Sequence, residues 1–476
     1  MSTNLSRRNF LKATAAVSAG TLLAACAQQA PSAPPTQAPA AAAPTPVPPT
    51  AAPAPTAVPA VVAKEPVTLR WSSWSDATLA AAWEKSVKEV FEPAHPGIKV
   101  TTEWAPYGEY HTKLLTALSA GTAPDLYTVA RWYSNDYIVK GQAMDPTPFM
   151  EADAEWQARS KKEFPAGYLQ NTMWQGKQWG TPYGGGTMLL YWNRKHFEEA
   201  KVEDPLSQYK AGKWNWDNFL KTAQALTKKN ASGDMERYGF YLEGVTWPFI
   251  TAEFIWGAGG ETYDMSTTVP TISVNSPEAK KGLQFLSDLY NVHKVAPLPG
   301  AVQGINLQQT GKVSMFYYWD GSAAVWNAEG DTWGIAPVPE GPAGRFAQGG
   351  CNPYLINPNC KHPEEAFELS KWLSLDAEKE WLAAGVWSYI GAQSILESDL
   401  FKEKYQAKPV ELVPENRQFN RNVPQPLGAA EFESAFNPDI ELFLMGEKSL
   451  DAVLADAKKN GDPILAEAYK KAGITG

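Results

Sequence analysis

The sequence predicts an open α/β fold arranged as two lobes, on three observations. Short strand-like runs alternate with amphipathic helical stretches, the first three strands read as a βαβαβ unit, and about 410 residues follow a Pro/Ala-rich N-terminal segment, which is more than one hydrophobic core usually organises. Val67-Thr68-Leu69-Arg70-Trp71 alternates as a strand does, and Ser75 or Asp76 caps a helix whose apolar stripe is Leu79, Trp83, Val87, Val90 and Phe91, ended by Pro93. A second strand over Ile98 to Trp104 leads to a helix carrying Leu114, Leu115 and Leu118, stopped by Gly121, and a third strand begins at Asp125-Leu126-Tyr127. Further on, Asn215 caps a helix from Trp216 to Lys228, Ser276-Pro277-Glu278 starts one ending near Tyr290, and Pro363 opens one through Leu373.

The N-terminus has a different character. Ser6-Arg7-Arg8-Asn9-Phe10-Leu11-Lys12 matches a twin-arginine export signal, and the apolar run behind it ends at Leu23-Ala24-Ala25-Cys26. Such a run is too short to span a bilayer as a stable helix. Resemblance to bacterial lipoprotein signals implies that residues 1–26 are the signal peptide and that Cys26 becomes the lipidated first residue, anchoring the exported protein to the outer face of the cell membrane. Residues 27–66 are nearly all Pro, Ala and Thr. They have too little apolar bulk to offset their ordering entropy, so they read as a disordered tether, reaching on the order of 120 Å in polyproline II form.

Charge and composition narrow the function. The chain has net charge −9, and loss of residues 1–26, which carry three basic residues and no acid, takes it to about −12. Nucleic acid is disfavoured as a partner, since no basic run follows the signal. Cys351 and Cys360 are the remaining thiols. The segment between them reads as a strand holding their α-carbons roughly 25–30 Å apart, so free thiols are expected.

Several stretches resemble the family 1 extracellular solute-binding proteins of sugar ABC importers. Lys113-Leu114-Leu115-Thr116-Ala117-Leu118-Ser119-Ala120-Gly121-Thr122-Ala123-Pro124-Asp125-Leu126 is similar to the family signature. In the same order come Gly180-Thr181-Pro182-Tyr183 with Leu190-Tyr191-Trp192-Asn193, Trp216-Asp217-Asn218-Phe219, Gly311-Lys312-Val313-Ser314-Met315 with Asp320-Gly321, Ala336-Pro337-Val338-Pro339 with Gly341 and Gly349-Gly350, and His362-Pro363-Glu364-Glu365-Ala366-Phe367 with Trp372-Leu373. The resemblance implies a type II periplasmic-binding-protein-like fold, two α/β lobes joined by crossing segments and closing over a ligand. The first lobe is expected over 67–182 and 350–390, the second over 183–349 and 391–476. Crossings are expected near Pro182-Tyr183, Gly349-Gly350 and Tyr389-Gly391.

Sugar rings offer an apolar face and a polar rim, so the cleft should carry flat aromatic platforms with amides, carboxylates or Arg at their edges. Trp74, Ser75 and Asp76 follow the first strand, Tyr107, Glu109 and Tyr110 the second, and Arg131 and Trp132 the third. Tyr183 and Gly350 stand at crossings, with Asn352 just after the glycine pair. Glu243 and Trp247 sit in a loop resembling a ligand-touching loop of maltose-type members. Trp319 and Asp320 end the strand Val313 to Tyr318, and Trp387 and Tyr389 lie beside the last crossing. For any of these aromatics, core packing is the competing role; Trp83, Trp216 and Trp372 read as core.

Two departures from the family pattern bear on the ligand. The acid usual a few residues after the Pro-Asp pair is missing from Thr128-Val129-Ala130-Arg131-Trp132. Arg131 either offers its planar fork to a uronate or phosphate or pairs with a surface acid. The Trp usual two residues after Asp-Gly is Ala323, leaving Trp319 or Trp326 to serve. No His-Glu-x-x-His, Cys-x-x-Cys, Gly-x-Ser-x-Gly or P-loop occurs, and the five His are scattered. No metal, cofactor or catalytic residue is therefore expected. Gly184-Gly185-Gly186 lacks the Lys and Ser/Thr of a phosphate loop and reads as a flexible hinge loop. The expectation is a monomeric, membrane-tethered receptor delivering a carbohydrate to an ABC permease, with an anionic solute or a secreted carbohydrate-active enzyme as alternatives.

Overall fold

A computed structural model describes residues 66–242, 251–302, 306–327, 330–386 and 389–475. The signal with Cys26, the tether, Glu243, Trp247 and Trp387 lie outside the described residues. The chain opens with β1 (Val67–Trp74), then β2 (Ile98–Ala105) and β3 (Leu126–Thr128). β1 pairs in parallel with both, Val67 facing Ile98 and Trp71 facing Leu126, as the βαβαβ reading requires. The intervening helices are where the caps place them. Asp76 accepts from the Leu79 amide at 2.9 Å to start Ala77–Ser86, which runs on through a π-helical turn at Val87–Phe91 to Ala94. The second helix, Tyr107–Ser119, ends before Gly121, whose φ of 68° is a left-handed turn that glycine adopts without penalty.

Two long strands carry the sheet onward. β4 (Thr181–Asn193) is buried along all 13 residues, and at about 3.3 Å per residue it spans roughly 40 Å. β5 (Tyr241–Leu242), β6 (Met315–Trp319), β7 (Trp333–Ala336), β8 (Ala347–Ile356) and β9 (Asn420–Arg421) complete a nine-stranded mixed sheet, with the path β2-β1-β3-β8-β4-β6-β5. β8 and β4 run antiparallel, Tyr354 facing Thr181 and Gly349 facing Thr187, with a register shift between Gly350 and Asn352. One end of β8 pairs with β3, and the far end of β4 pairs with β6 and β7. These two strands therefore belong to both halves of the sheet.

Packing divides in the same way. One buried cluster joins Leu69, Trp71, Trp83, Val87, Phe91, Val100 and Leu126 to the helix Pro363–Leu375, and continues along β4 to Tyr191 and Phe316. Another joins Leu190, Phe219, Leu283, Leu286, Phe432, Ile440 and Leu454, from the helices Trp216–Leu226, Pro277–Asn291, Ala429–Leu444 and Leu450–Lys471. The Asn215-capped helix stops at Leu226, two residues before the expected end. The segment after residue 390 leans toward the β1 half: the Gly391 amide donates to Glu378 at 2.6 Å and the Ser394 amide to Glu163 at 2.8 Å. Cys351 and Cys360 are free and buried, on and just beyond β8.

One expectation is corrected here. Gly184-Gly185-Gly186 is part of β4 and not a hinge loop. Gly184 has a φ of 56°, which glycine adopts without penalty, and Gly185 and Gly186 pass through a gap with no room for side chains. A Cβ on Gly185 would overlap the Tyr168 hydroxyl, and one on Gly186 would lie 2.8 Å from Asp320 Oδ1 and 3.1 Å from the Trp319 ring.

Candidate functional site

Where β1, β3, β4, β6 and β8 converge, a cavity of about 270 Å³ is lined by Trp74, Arg131, Trp132, Tyr183, Gly184, Gly185, Gly186, Trp319, Gly350, Asn352 and Tyr389. Trp74 is the last residue of β1, and Arg131 and Trp132 follow β3, so this wall lies at the carboxyl ends of parallel strands, the usual ligand position in an open α/β sheet. The opposite wall is Trp319, the last residue of β6. The floor is the β4–β8 crossing, where bare glycine backbone takes the place of side chains.

The aromatic rings are held by neighbours. Trp74 meets Tyr107, Tyr110 and Tyr183 edge-on at centroid separations of 5.4–5.6 Å. The Trp132 indole N–H donates to the Tyr107 hydroxyl at 3.2 Å. Tyr389 shares a hydrogen bond of 2.7 Å with Ser322, and its carbonyl accepts from the Gly185 amide at 3.2 Å, tying the third crossing segment to β4. Such ring pairs add about 0.5–1.5 kcal/mol each beyond area burial, which fixes the platforms before any ligand arrives.

Arg131 is the charged residue among the described residues of the cavity wall. Its side chain is 6% exposed, its amide donates to Asn352 Oδ1 at 3.0 Å, and its guanidinium carbon lies 4.2 Å from the Trp132 ring centroid and 5.0 Å from that of Trp319. Burial lowers its pKa to about 10. Below the floor, Asp320 is wholly buried, and its Oδ1 accepts from the Thr187 amide at 3.1 Å and the Gly321 amide at 2.8 Å. Burial raises its pKa to about 7, against the opposing pull of Arg417 and those amides. Its Oδ2 has no hydrogen-bond partner among the described residues. Glu378 is likewise raised to about 8 by burial.

Eight of the residues expected from sequence thus meet at one cavity: Trp74, Arg131, Trp132, Tyr183, Trp319, Gly350, Asn352 and Tyr389. Others stand apart from its wall. Asp76 spends its carboxylate on the helix cap, and Ser75 donates to the Asp76 carbonyl. Glu109 is exposed and pairs with Lys113 at 2.6 Å. Tyr107 supports Trp132 from behind, and Asp320 braces the β4 backbone. Gly184, Gly185 and Gly186 are lining residues that the sequence reading placed in a loop. Their signal was a triple glycine inside an otherwise apolar strand run, a mark of close backbone approach. Among the described residues, no group of three or more His, Cys, Asp or Glu could hold a metal ion.

Comparison with known proteins places the chain. Residues 74–380 match the family described as bacterial extracellular solute-binding protein, and residues 4–24 match the twin-arginine translocation pathway signal sequence. A binding protein of Brucella abortus (strain 2308) is 26% identical over 391 residues, covering 80% of this chain and 89% of its own. The ABC substrate-binding protein Lmo0181 from Listeria monocytogenes, solved in complex with cycloalternan, superposes with a TM-score of 0.70 at 22% identity, over 86% of this chain and 100% of its own. The sugar-binding protein MalE from Xanthomonas citri gives 0.72 at 18% identity, over 86% and 100%. These likenesses carry the two-lobed α/β fold, and the export signal agrees with a protein working outside the cytoplasm. The chain belongs to the bacterial extracellular solute-binding protein family.

Proposed function

We propose that this protein captures a carbohydrate between its two lobes and delivers it, unaltered, to the permease of an ABC importer. The observation that carries this reading is the gathering of Trp74, Trp132 and Trp319 on one cavity, with Tyr183, Tyr389 and Asn352 between them. Half-buried indoles give faces to sugar C–H groups, while the Asn352 amide meets the polar rim. The cavity lies near the lower end of the range for small-molecule sites, which suits one or two sugar rings. The names of the Listeria and Xanthomonas proteins support the ligand class, the first also naming an ABC substrate-binding protein.

In this reading the lobes are 67–182 with 350–390 and 183–349 with 391–476. β4, β8 and the Tyr389–Gly391 segment cross between them. Closing on the ligand buries its ring faces and shields the rim hydrogen bonds from water, giving the permease a state to distinguish. The protein acts as a monomer, lipidated at Cys26 and tethered through residues 27–66, and it performs no chemistry on its cargo.

The test is titration of intrinsic Trp fluorescence against a panel of mono- and oligosaccharides, repeated with Trp74→Ala and Trp319→Ala. Saturable binding weakened at least tenfold by either substitution is expected. A variant that binds the best sugar unchanged removes the site assignment, and recovery of altered sugar after incubation makes the protein an enzyme. Labelled palmitate should enter the wild-type chain in cells and fail to enter Cys26→Ser.

A further inference from the structure

Arg131 is a buried cation with no anion paired to it among the described residues. Among the described residues no carboxylate forms an ion pair with it, and no acceptor is bonded to its guanidinium, although other arginines such as Arg70 and Arg159 are paired with acids. Among the described residues lining the cavity, none is an acid. A surface acid as its partner, one of the two roles open from the sequence, is therefore not found. Burying a charge in this way is unfavourable unless something at the site compensates it.

The compensation present is incomplete. Faces of Trp132 and Trp319 near the guanidinium favour a cation, yet ring quadrupoles carry no net charge. A guanidinium also directs its N–H groups within its own plane, in a fork that fits two oxygens of a carboxylate or phosphate. Stacking against an indole occupies the flat face and leaves that fork for a ligand. The Asn352 carbonyl oxygen fixes the Arg131 backbone from β8, so the fork sits on a braced element beside the platforms. The Asp320 carboxylate below the floor accepts from the Thr187 and Gly321 amides and forms no ion pair with Arg131.

We propose that the carbohydrate bound here carries an oxyanion, a uronate-type carboxylate or a phosphate monoester, gripped by Arg131 while its ring rests against the indoles. This rests on the carbohydrate reading above and narrows it. A one-ring sugar acid suits the cavity size, and its negative charge supplies what the site lacks.

The decisive probes are D-galacturonate and D-glucuronate, their methyl esters, D-galactose, D-glucose and D-glucose 6-phosphate, titrated at pH 7 against the mature wild-type protein by calorimetry. An ester keeps the ring and removes the charge. At least one acid or the phosphate should bind tenfold or more tighter than its ester or parent sugar, with the preference shrinking as salt is raised and lost in Arg131→Gln. The acids and the phosphate distinguish the two oxyanion sources. If an ester or neutral sugar binds as tightly as its charged counterpart, the oxyanion inference falls and the carbohydrate reading stands. If none of these probes nor any neutral oligosaccharide binds, both fall. The acid-to-ester comparison uses unaltered protein, so it remains decisive even if Arg131→Gln fails to fold.

Discussion

Two sets of tryptophans in this molecule place the same ring in different surroundings. Trp71, Trp83, Trp104 and Trp381 form a packed group, Trp71 to Trp83 at 5.6 Å and Trp83 to Trp381 at 5.2 Å between centroids, with Trp71, Trp83 and Trp381 fully sealed. Trp74, Trp132 and Trp319 are half-buried and meet at the cavity. Trp71 and Trp74 even share a strand. An odd separation of three residues sends them to opposite faces, and the later one stands at the strand's carboxyl end, where the sheet stops and loops gather. The difference teaches that on β1 the face and the position along the strand together decide whether an indole is sealed in the core or lines the cavity.

That contrast can be broken in several ways. Trp83→Ala should have the largest effect, lowering stability by about 3–5 kcal/mol in chemical denaturation, because it empties a closed core. An effect below about 1 kcal/mol would mean the packed group is not a core. Asp320→Asn probes the floor shared by both halves. The raised carboxyl keeps its proton in the folded state to about pH 7, whereas the unfolded chain releases it near pH 4. Between these values the unfolded chain binds fewer protons, so stability falls as pH rises. Asn should flatten this decline, by something on the order of 2–4 kcal/mol between pH 4 and 7. Denaturation midpoints at pH 5, 6, 7 and 8 check it, and an unchanged slope would assign the decline to Glu253 and Glu378, whose burial also raises their pKa values to about 8.

Trp74→Ala should weaken sugar binding tenfold or more, about 1.4 kcal/mol, while costing less stability than Trp83→Ala; the reverse ranking would dissolve the distinction between the two groups. Smallest is Asp76→Ala, two residues beyond Trp74. Loss of the cap bond to Leu79 should lower stability by about 1 kcal/mol and shift affinity less than Trp74→Ala does. An equal loss of affinity would move the carboxylate back into the site.

Much of this architecture is legible in the chain because it is written locally. Asp76, Asn215 and Ser276 each precede a helix they cap, and each accepts the expected amide. Trp74 and Trp319 were readable as cavity-lining residues because strand period and end position together state where a side chain emerges. Roles that depend on distant partners were not readable. Asp320 and Trp319 are neighbours in sequence, yet one turns under β4 to hold the Thr187 amide and the other faces the cavity. The triple glycine looks like slack until Tyr168 and Asp320 are seen on either side of it.

The sequence alone determined the export signal, the α/β alternation, the helix caps and which indoles end strands, because these depend on residues within a few positions of one another. Tertiary structure decided the rest. It made β4 and β8 the shared spine of both halves, tied up Asp76, Glu109 and Asp320 with other partners, and set the Arg131 guanidinium beside the Trp132 and Trp319 rings with no acid paired to it among the described residues. Burial and charge pairing depend on which segments meet across hundreds of residues, and no local pattern records that.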